Sequence, residues 1–288
     1  MEEKNKVLPS TLYLVGTPIG NLADISERAK KVLSEVDFVA AEDTRNSMRL
    51  LSAYGIKKEL VSYFEHNKRQ SGERIVERLL SGESCALITD AGMPAISDPG
   101  EDIVRLCAEA GLCVSVIPGA SAAVSALALS ALSTARFAFE GFLPAKSGDR
   151  KKRLSALVTE ERTMIFYEAP HKLCRTLLDM KEAFGEDRKI SLCRELTKLN
   201  EEVERLTLTE AVKRYEEKEP RGEYVLVLEG ADEAGVSVSY DADSSLSPKE
   251  QVEALISEGT PKKDAIKEVA KRLGVPKSEI YNLMIDEE

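Results

Sequence analysis

Residues 89–100 read TDAGMPAISDPG, with two Asp, two Gly and two Pro crowded between an apolar run, CALI at 85–88, and a helix-like stretch at 101–110. Glycine permits positive φ and close approach of a ligand to backbone, while proline fixes φ and removes an N–H donor. Such a composition continues neither a strand nor a helix. It predicts a long, shaped loop at the carboxyl end of a strand, which is where open α/β sheets bind ligands. Residues 16–21, GTPIGN, repeat the theme after the apolar run LYLV at 12–15. They do not spell G-x-G-x-x-G and no Walker lysine follows, so dinucleotide and nucleoside-triphosphate readings lack support.

Charged and titratable residues gather at other strand ends. AEDTR at 41–45 brings the carboxylates of Glu42 and Asp43 and the Arg45 guanidinium together. They can orient a polar substrate, or form an ion pair with a helix cap. FYEAPH at 166–171 places Glu168 and His171 just past a strand. Imidazole accepts a proton near neutral pH, and the alternative is a hydrogen-bonded turn residue. RELTK at 194–198 adds Arg194 and Lys198. The chain carries a formal charge of −10, which argues against a charge-driven nucleic-acid binder. Two basic clusters nevertheless stand out. Residues 145–153 hold Lys146, Arg150, Lys151, Lys152 and Arg153 against Asp149 alone, and residues 260–282 hold six basic residues against three acidic ones. Solvated helix faces are the ordinary reading of such runs, but on an acidic chain they also point to nucleic acid.

These residues need elements to hold them. In the first half, short apolar runs at 12–15, 37–41, 60–64, 85–88 and 113–117 alternate with helix-like segments at 25–34, 47–54, 71–80 and 101–110. Strands spaced by helices predict βαβ crossovers and a mainly parallel sheet. Pro118-Gly119 breaks the pattern and a helix is expected over 120–131. Strands at 137–142, 163–167, 190–194, 202–206 and 224–229, with helices at 151–158, 172–184 and 209–218, predict a second α/β domain with a mixed sheet. Residues 1–118 and 119–231 are therefore expected to be two α/β domains, 232–247 a small, acidic linker, and 248–288 a helical, helix-turn-helix-like unit suited to RNA. At 288 residues, 43% hydrophobic and 31% charged, the chain suits a soluble protein with a sizeable core. No apolar segment reaches the ~18 residues that span a bilayer. Residues 1–9 lack the apolar core of a signal peptide, so a cytoplasmic protein without a membrane partner is expected. Five scattered cysteines, no CxxC pair and only two histidines predict reduced thiols and no metal site.

In this order, the blocks TPIGNL (17–22), AEDTR (41–45), DAGMPAISDPG (90–100), PGASA (118–122), EGFLPAK (140–146), FYEAPHK (166–172), RELTK (194–198) and RGEYVL (221–226) resemble one family. It is that of the bacterial small-subunit ribosomal RNA (cytidine-2′-O)-methyltransferases, within the tetrapyrrole methylase superfamily. The resemblance implies two α/β domains of the tetrapyrrole methylase (class III methyltransferase) type, usually in a homodimer, with S-adenosyl-L-methionine in the cleft between them. It implies methyl transfer to a cytidine 2′-hydroxyl in the decoding region of 16S rRNA, the partner being that RNA within the small ribosomal subunit. Carried onto this chain, cofactor contacts fall on Pro18 and Ile19, on Asp90, Ala91, Gly92 and Met93, on Ser121 and Ala122, and on Phe166. Residues 97–100 are expected to shape the turn instead. Met93 stands where the family commonly has Thr, Ala169 where Ser is frequent and Lys172 where Arg is. The choice among Asp43, Glu168 and His171 as proton acceptor stays open. Arg45, Lys146, Arg150, Lys151, Arg194 and Lys198 are candidates for phosphate or substrate contact. Two other readings remain: a methyltransferase of the same superfamily acting on a tetrapyrrole, and a non-enzymatic RNA-binding or ribosome-assembly protein.

Overall fold

The computed structural model describes residues 6–231, 247–257, 260–273, 275 and 277–284. They belong to two compact units, 1–231 and 232–288. The larger unit opens with five strands, β1 (Thr11–Val15), β2 (Phe38–Ala41), β3 (Glu59–Ser62), β4 (Cys85–Ile88) and β5 (Cys113–Ile117). They pair in the order β3-β2-β4-β1-β5, every pair parallel. The crossovers are α1 (Glu27–Glu35), α2 (Thr44–Ala53), α3 (Lys68–Leu80) and α4 (Glu101–Glu109).

A sheet covered on both faces needs strands apolar on both faces. Along β1, Tyr13 and Val15 face α1 and α2 while Leu12 faces α3 and α4. Along β4, Ala86 and Ile88 face the first layer, Cys85 and Leu87 the second. Each fully buried Leu or Ile contributes roughly 1.5–3 kcal/mol. Because all five strands run the same way, the loops after β1, β2, β4 and β5 leave one edge of the sheet together.

The second sheet comprises β6 (Phe137–Phe142), β7 (Thr163–Glu168), β8 (Lys189–Arg194), β9 (Glu202–Thr207) and β10 (Tyr224–Leu228), ordered β6-β7-β10-β8-β9. Only β6 and β7 are parallel, the other pairs antiparallel, as the helix-free link between β8 and β9 requires. Helix α5 (Ala122–Leu129) covers one face, packing Ala123, Ala126 and Leu127 on Ile165, Val225 and Val227. Helices α6 (Ser147–Ala156), α7 (Pro170–Phe184) and α8 (Leu208–Glu217) cover the other with Leu154, Leu177 and Ala211. Phe166 lies in that second core, fully buried against the helices. The expectation that it touches cofactor is corrected: its side chain points to the face opposite Tyr167, which the cleft takes instead.

In the smaller unit, α9 (Pro248–Ser257), α10 (Lys262–Leu273) and α11 (Lys277–Leu283) bury Val252, Ile266, Val269 and Ile280 among themselves. Lys262, Lys263, Lys267 and Lys277 are exposed on it. The expected linker lies almost wholly outside the described residues. Among the described residues no helix is long and apolar enough to cross a membrane.

Candidate active site

Thr17 ties together two of the loops at the edge of the parallel sheet. Its backbone exchanges hydrogen bonds with Gly92, Thr17 N–H to the Gly92 carbonyl at 2.9 Å and Gly92 N–H to the Thr17 carbonyl at 3.2 Å. Its hydroxyl donates to the Thr89 carbonyl at 3.2 Å. The third loop joins through Gly16 N–H, which donates to the Ile117 carbonyl at 3.0 Å. A Cβ on Gly16 would meet Gly119 backbone at 2.7 Å, so only glycine lets these loops touch. The composition that marked 16–21, 89–100 and 118–122 in the sequence is thus the composition of a close backbone junction.

From this junction the loops reach across to the second sheet. A Cβ on Gly20 would strike the Lys198 and Thr197 side chains, and the Ser97 hydroxyl lies beside Gly141 of β6. Between the two sheets lies a cleft of about 580 Å³, within the ~300–1,000 Å³ usual for small-molecule sites. One wall is Ile19, Ala91, Gly92, Met93 and Ala122; the facing wall is Tyr167, Ala169, Leu196 and Val225. Ile96 and Phe142, both more than half exposed, stand at its mouth. Phe142 packs edge-on against Tyr167 at 5.5 Å between ring centroids.

The cleft gathers most of the expected cofactor residues: Ile19, Asp90, Ala91, Gly92, Met93, Ser121 and Ala122. Pro18 is buried beside it and is not among its lining residues. The Ser121 hydroxyl caps α5, accepting from Val124 N–H at 3.5 Å. Glu168 and His171 also line the cleft, in different states. Glu168 is buried and occupied, accepting from the Thr176 hydroxyl at 2.5 Å and from Ala169 N–H at 2.8 Å. His171 is exposed in the first turn of α7.

Asp43 lies outside the cleft lining and serves structure. It caps α2 through Arg45 N–H at 2.8 Å and grips the Arg45 guanidinium at 2.8 Å, which together hold its carboxyl at about 2. A carboxylate so acidic and so engaged is a poor base at neutral pH. The basic cluster at 145–153 is also mostly spoken for. Arg150, expected to meet substrate, is instead buried and paired with Asp179 at 2.7 Å, and donates to the Ala145 carbonyl at 3.1 Å. Lys151 pairs with Glu182 at 2.5 Å and Arg153 with Glu140. Lys146 and Lys152 remain exposed. Arg194 pairs with Glu202 at 3.0 Å, while Lys198 bridges Glu195 at 3.0 Å and Glu223 at 2.8 Å on the cleft wall.

Sequence reasoning passed over Ile96 and gave Ser97 and Asp98 to the turn alone; all three line the cleft. Ala95 and Ser97 adopt φ of 68° and 62°, a left-handed backbone that non-glycine residues seldom take. Burial pushes the Asp98 carboxyl up to about 6, with Glu42 and Asp90 adding like charge. Among the described residues no group of three or more His, Cys, Asp or Glu side chains is arranged to hold a metal ion.

The model of the tetrapyrrole (corrin/porphyrin) methylases matches residues 11–212, which take in both sheets as far as α8. The chain is 48% identical over 273 residues to the ribosomal RNA small subunit methyltransferase I of Halalkalibacterium halodurans, covering 95% of this chain and 94% of the relative. Its identity to the protein of that name from Bacillus subtilis is 47% over 271 residues, covering 94% and 92%. Among solved structures, a diphthine synthase superposes with TM-score 0.59 at 16% identity, over 76% of this chain and 89% of that one. The uroporphyrin-III C-methyltransferase of Thermus thermophilus superposes with TM-score 0.55 at 20% identity, over 76% and 94%. At these identities the structural likeness speaks for the fold alone.

Proposed function

The chain belongs to the tetrapyrrole methylase family and, within it, to the small-subunit ribosomal RNA methyltransferases I, and from that premise we propose that it transfers a methyl group from S-adenosyl-L-methionine to a cytidine ribose 2′-hydroxyl in the decoding region of 16S rRNA. The observation that carries this is convergence. Loops at 16–21, 89–100 and 118–122, far apart in the chain, are sewn into one wall of a single cleft, and the relatives match nearly the whole length.

The residues present suit the cofactor. Apolar walls from Ile19, Met93, Leu196 and Val225 fit an adenine ring and an aliphatic chain, and Asp90, Ser121 and Glu223 supply polar edges. The cofactor brings a methyl already activated on a positively charged sulfur, so the protein has only to position and to manage one proton. Positioning accounts for ~7–11 kcal/mol in favourable cases, and a general base for ~10²–10⁴-fold. Holding three loops by backbone hydrogen bonds serves the larger of these. Glu168, His171 and Lys198 stand on the wall where the nucleotide would enter, and Phe142 offers a face for an unstacked base. Lys146, Lys152, Arg45 and the exposed lysines of the smaller unit supply phosphate contacts, with Arg150 withdrawn from that role. The reading includes a homodimer, checked by sedimentation, and a substrate RNA held in the small subunit.

Mass mapping of 16S rRNA from a strain lacking the gene tests the reading. A decoding-region cytidine should lose one methyl group and regain it when small subunits are incubated with purified protein and S-adenosyl-L-methionine. Unchanged methylation in the deletion strain would refute it.

A further inference from the structure

We propose that Asp98 is the catalytic group that takes the 2′-hydroxyl proton, and that the positive charge of the cofactor beside it controls when it is able to do so. The inference rests on the methyl-transfer reading of the same cleft and names a residue for it.

Three carboxylates neighbour one another at this edge of the sheet, and their engagements differ. Asp90 accepts from the Asn46 side chain at 2.9 Å. Glu42, just past β2, has its proton affinity raised by burial and then by the charge of Asp90. Asp98 lines the cleft, is half-buried, and accepts no hydrogen bond from any described residue. A carboxylate without donors keeps its lone pairs for an incoming proton. Its place is fixed: the left-handed Ala95 and Ser97 lead into it, and beyond it Gly100 folds back so tightly that a Cβ there would lie 2.8 Å from Ala95 N. Strain in a non-glycine loop persists where the surrounding structure enforces it, and it gathers at functional sites.

The electrostatics suit a base that must be ionised before the transfer and protonated after it. Burial, then Glu42 and Asp90, raise its affinity for a proton to about 6, two steps above an ordinary aspartate. Other titratable and charged groups face the cleft from the second sheet: Tyr167, Glu168, His171, Cys193, Lys198, Glu223 and Tyr224. Lys198 is neutralised between Glu195 and Glu223. A cation bound in the cleft therefore favours ionised Asp98. In the transfer the hydroxyl oxygen bonds to the methyl carbon, the carbon–sulfur bond breaks with its electron pair staying on sulfur, and the hydroxyl proton passes to an Asp98 carboxylate oxygen. The sulfur is then neutral, and Asp98 holds its proton as the neighbouring carboxylates favour. His171 is the competing acceptor, and it stands exposed on the opposite wall.

The test is calorimetric titration of the full-length protein with S-adenosyl-L-methionine and, separately, with S-adenosylhomocysteine, which differs by the methyl and its charge, in buffers of different ionisation enthalpy at pH 6. Wild type should release more protons on binding the cationic ligand than on binding the neutral one, and His171→Ala should keep that difference. Asp98→Asn should abolish it and lower the preference for the cationic ligand by at least about tenfold. Single-turnover methylation by Asp98→Asn should fall by ~10²–10⁴-fold, with the wild-type rise, which the bound cation displaces below pH 6, replaced by a continuous increase. Asp98→Glu keeps a carboxylate and should restore the linked proton, which separates chemistry from folding. Equal proton release in Asp98→Asn and wild type, or superimposable pH profiles, overturns the assignment. Failure of wild type to bind the cofactor at all overturns the methyl-transfer reading instead.

Discussion

Replacing Gly119 with alanine should force apart the two loops that hold the cofactor wall without adding a group to the cleft itself. A methyl there would lie 2.8 Å from Cα, C and O of Gly16, where ordinary van der Waals contact begins at 3.4 Å. Neither glycine has positive φ, so the backbone conformation itself accepts alanine and the effect is one of space. The atoms met are backbone, tied by Gly16 N–H to the Ile117 carbonyl, and they cannot swing aside as a flexible side chain would. Relief demands about 0.6 Å of separation between the loops. Overpacking of this kind costs ~1–3 kcal/mol, which lowers Tm by roughly 2–10 °C for a chain of this size. Ile19 hangs from one loop, Ser121 and Ala122 from the other. A misplacement of 1 Å can cost ~10²-fold, so about tenfold weaker cofactor binding is expected. Calorimetric titration with S-adenosyl-L-methionine and a thermal melt measure both. Gly55→Ala is the control: that glycine sits at φ 71° with open space around it, so it should lower Tm and leave affinity alone. If Gly119→Ala binds and melts like wild type, the loops are not rigidly apposed and the account of the junction fails.

Asp179→Asn leaves Arg150 buried without its counter-charge and should cost ~3–5 kcal/mol in urea unfolding, whereas replacing both with apolar residues recovers most of it. A single variant within ~0.5 kcal/mol of wild type would mean that Arg150 escapes to solvent. Thr176→Val removes the donor to the buried Glu168 carboxylate and should destabilise by ~1–3 kcal/mol, read from the same unfolding curves; no loss would show that Glu168 is satisfied elsewhere. The Asp98 carboxyl titrates near 6 when folded against the ordinary 3.8, so its ionisation costs folding free energy at every pH above about 6 and none below about 4. Asp98→Asn should therefore raise stability near pH 7.5 by about 1 kcal/mol, against an upper limit of ~3 before solvent screening, and leave it unchanged near pH 3.5. A gain of equal size at both pH values would count against that balance.

Element order was legible because apolar runs of four to six residues punctuated by Gly and Pro admit little else. Helix starts were less so. The helix expected from residue 47 begins at Thr44, because its polar first turn shows no apolar period and is set by the Asp43 cap. The helix expected from 71 likewise begins at Lys68 and that from 151 at Ser147, each with a polar first turn. Phe166 and Tyr167 are adjacent in the chain and point to opposite faces of β7; nothing local says which face holds helices and which the cleft. Arg150 was misjudged because its partner Asp179 is 29 positions away, on a helix whose packing the chain does not announce. Asp98 was hidden for a different reason. Ala95 and Ser97 are residues for which left-handed backbone is disfavoured, so no local rule predicts the path the loop takes there.

That last failure ties stability to chemistry at one loop. Propensity rules succeed where each residue adopts its preferred conformation, and they break where the fold imposes another. Residues 89–93 obey them: Gly92 takes the positive φ its junction with Thr17 needs. Residues 95–98 do not, and there the chain bears two left-handed non-glycine residues, an exposed isoleucine and a half-buried carboxylate without a donor. None of these helps the fold stand; the carboxylate weakens it at neutral pH. The structure that tolerates them is the junction beside them, where the neighbouring backbone hydrogen bonds hold the loop whatever its tip does. On this view the first half of 89–100 is the anchor and the second half the working part. Gly119→Ala and Asp98→Asn should then move stability in opposite directions at pH 7.5 while both impair the reaction.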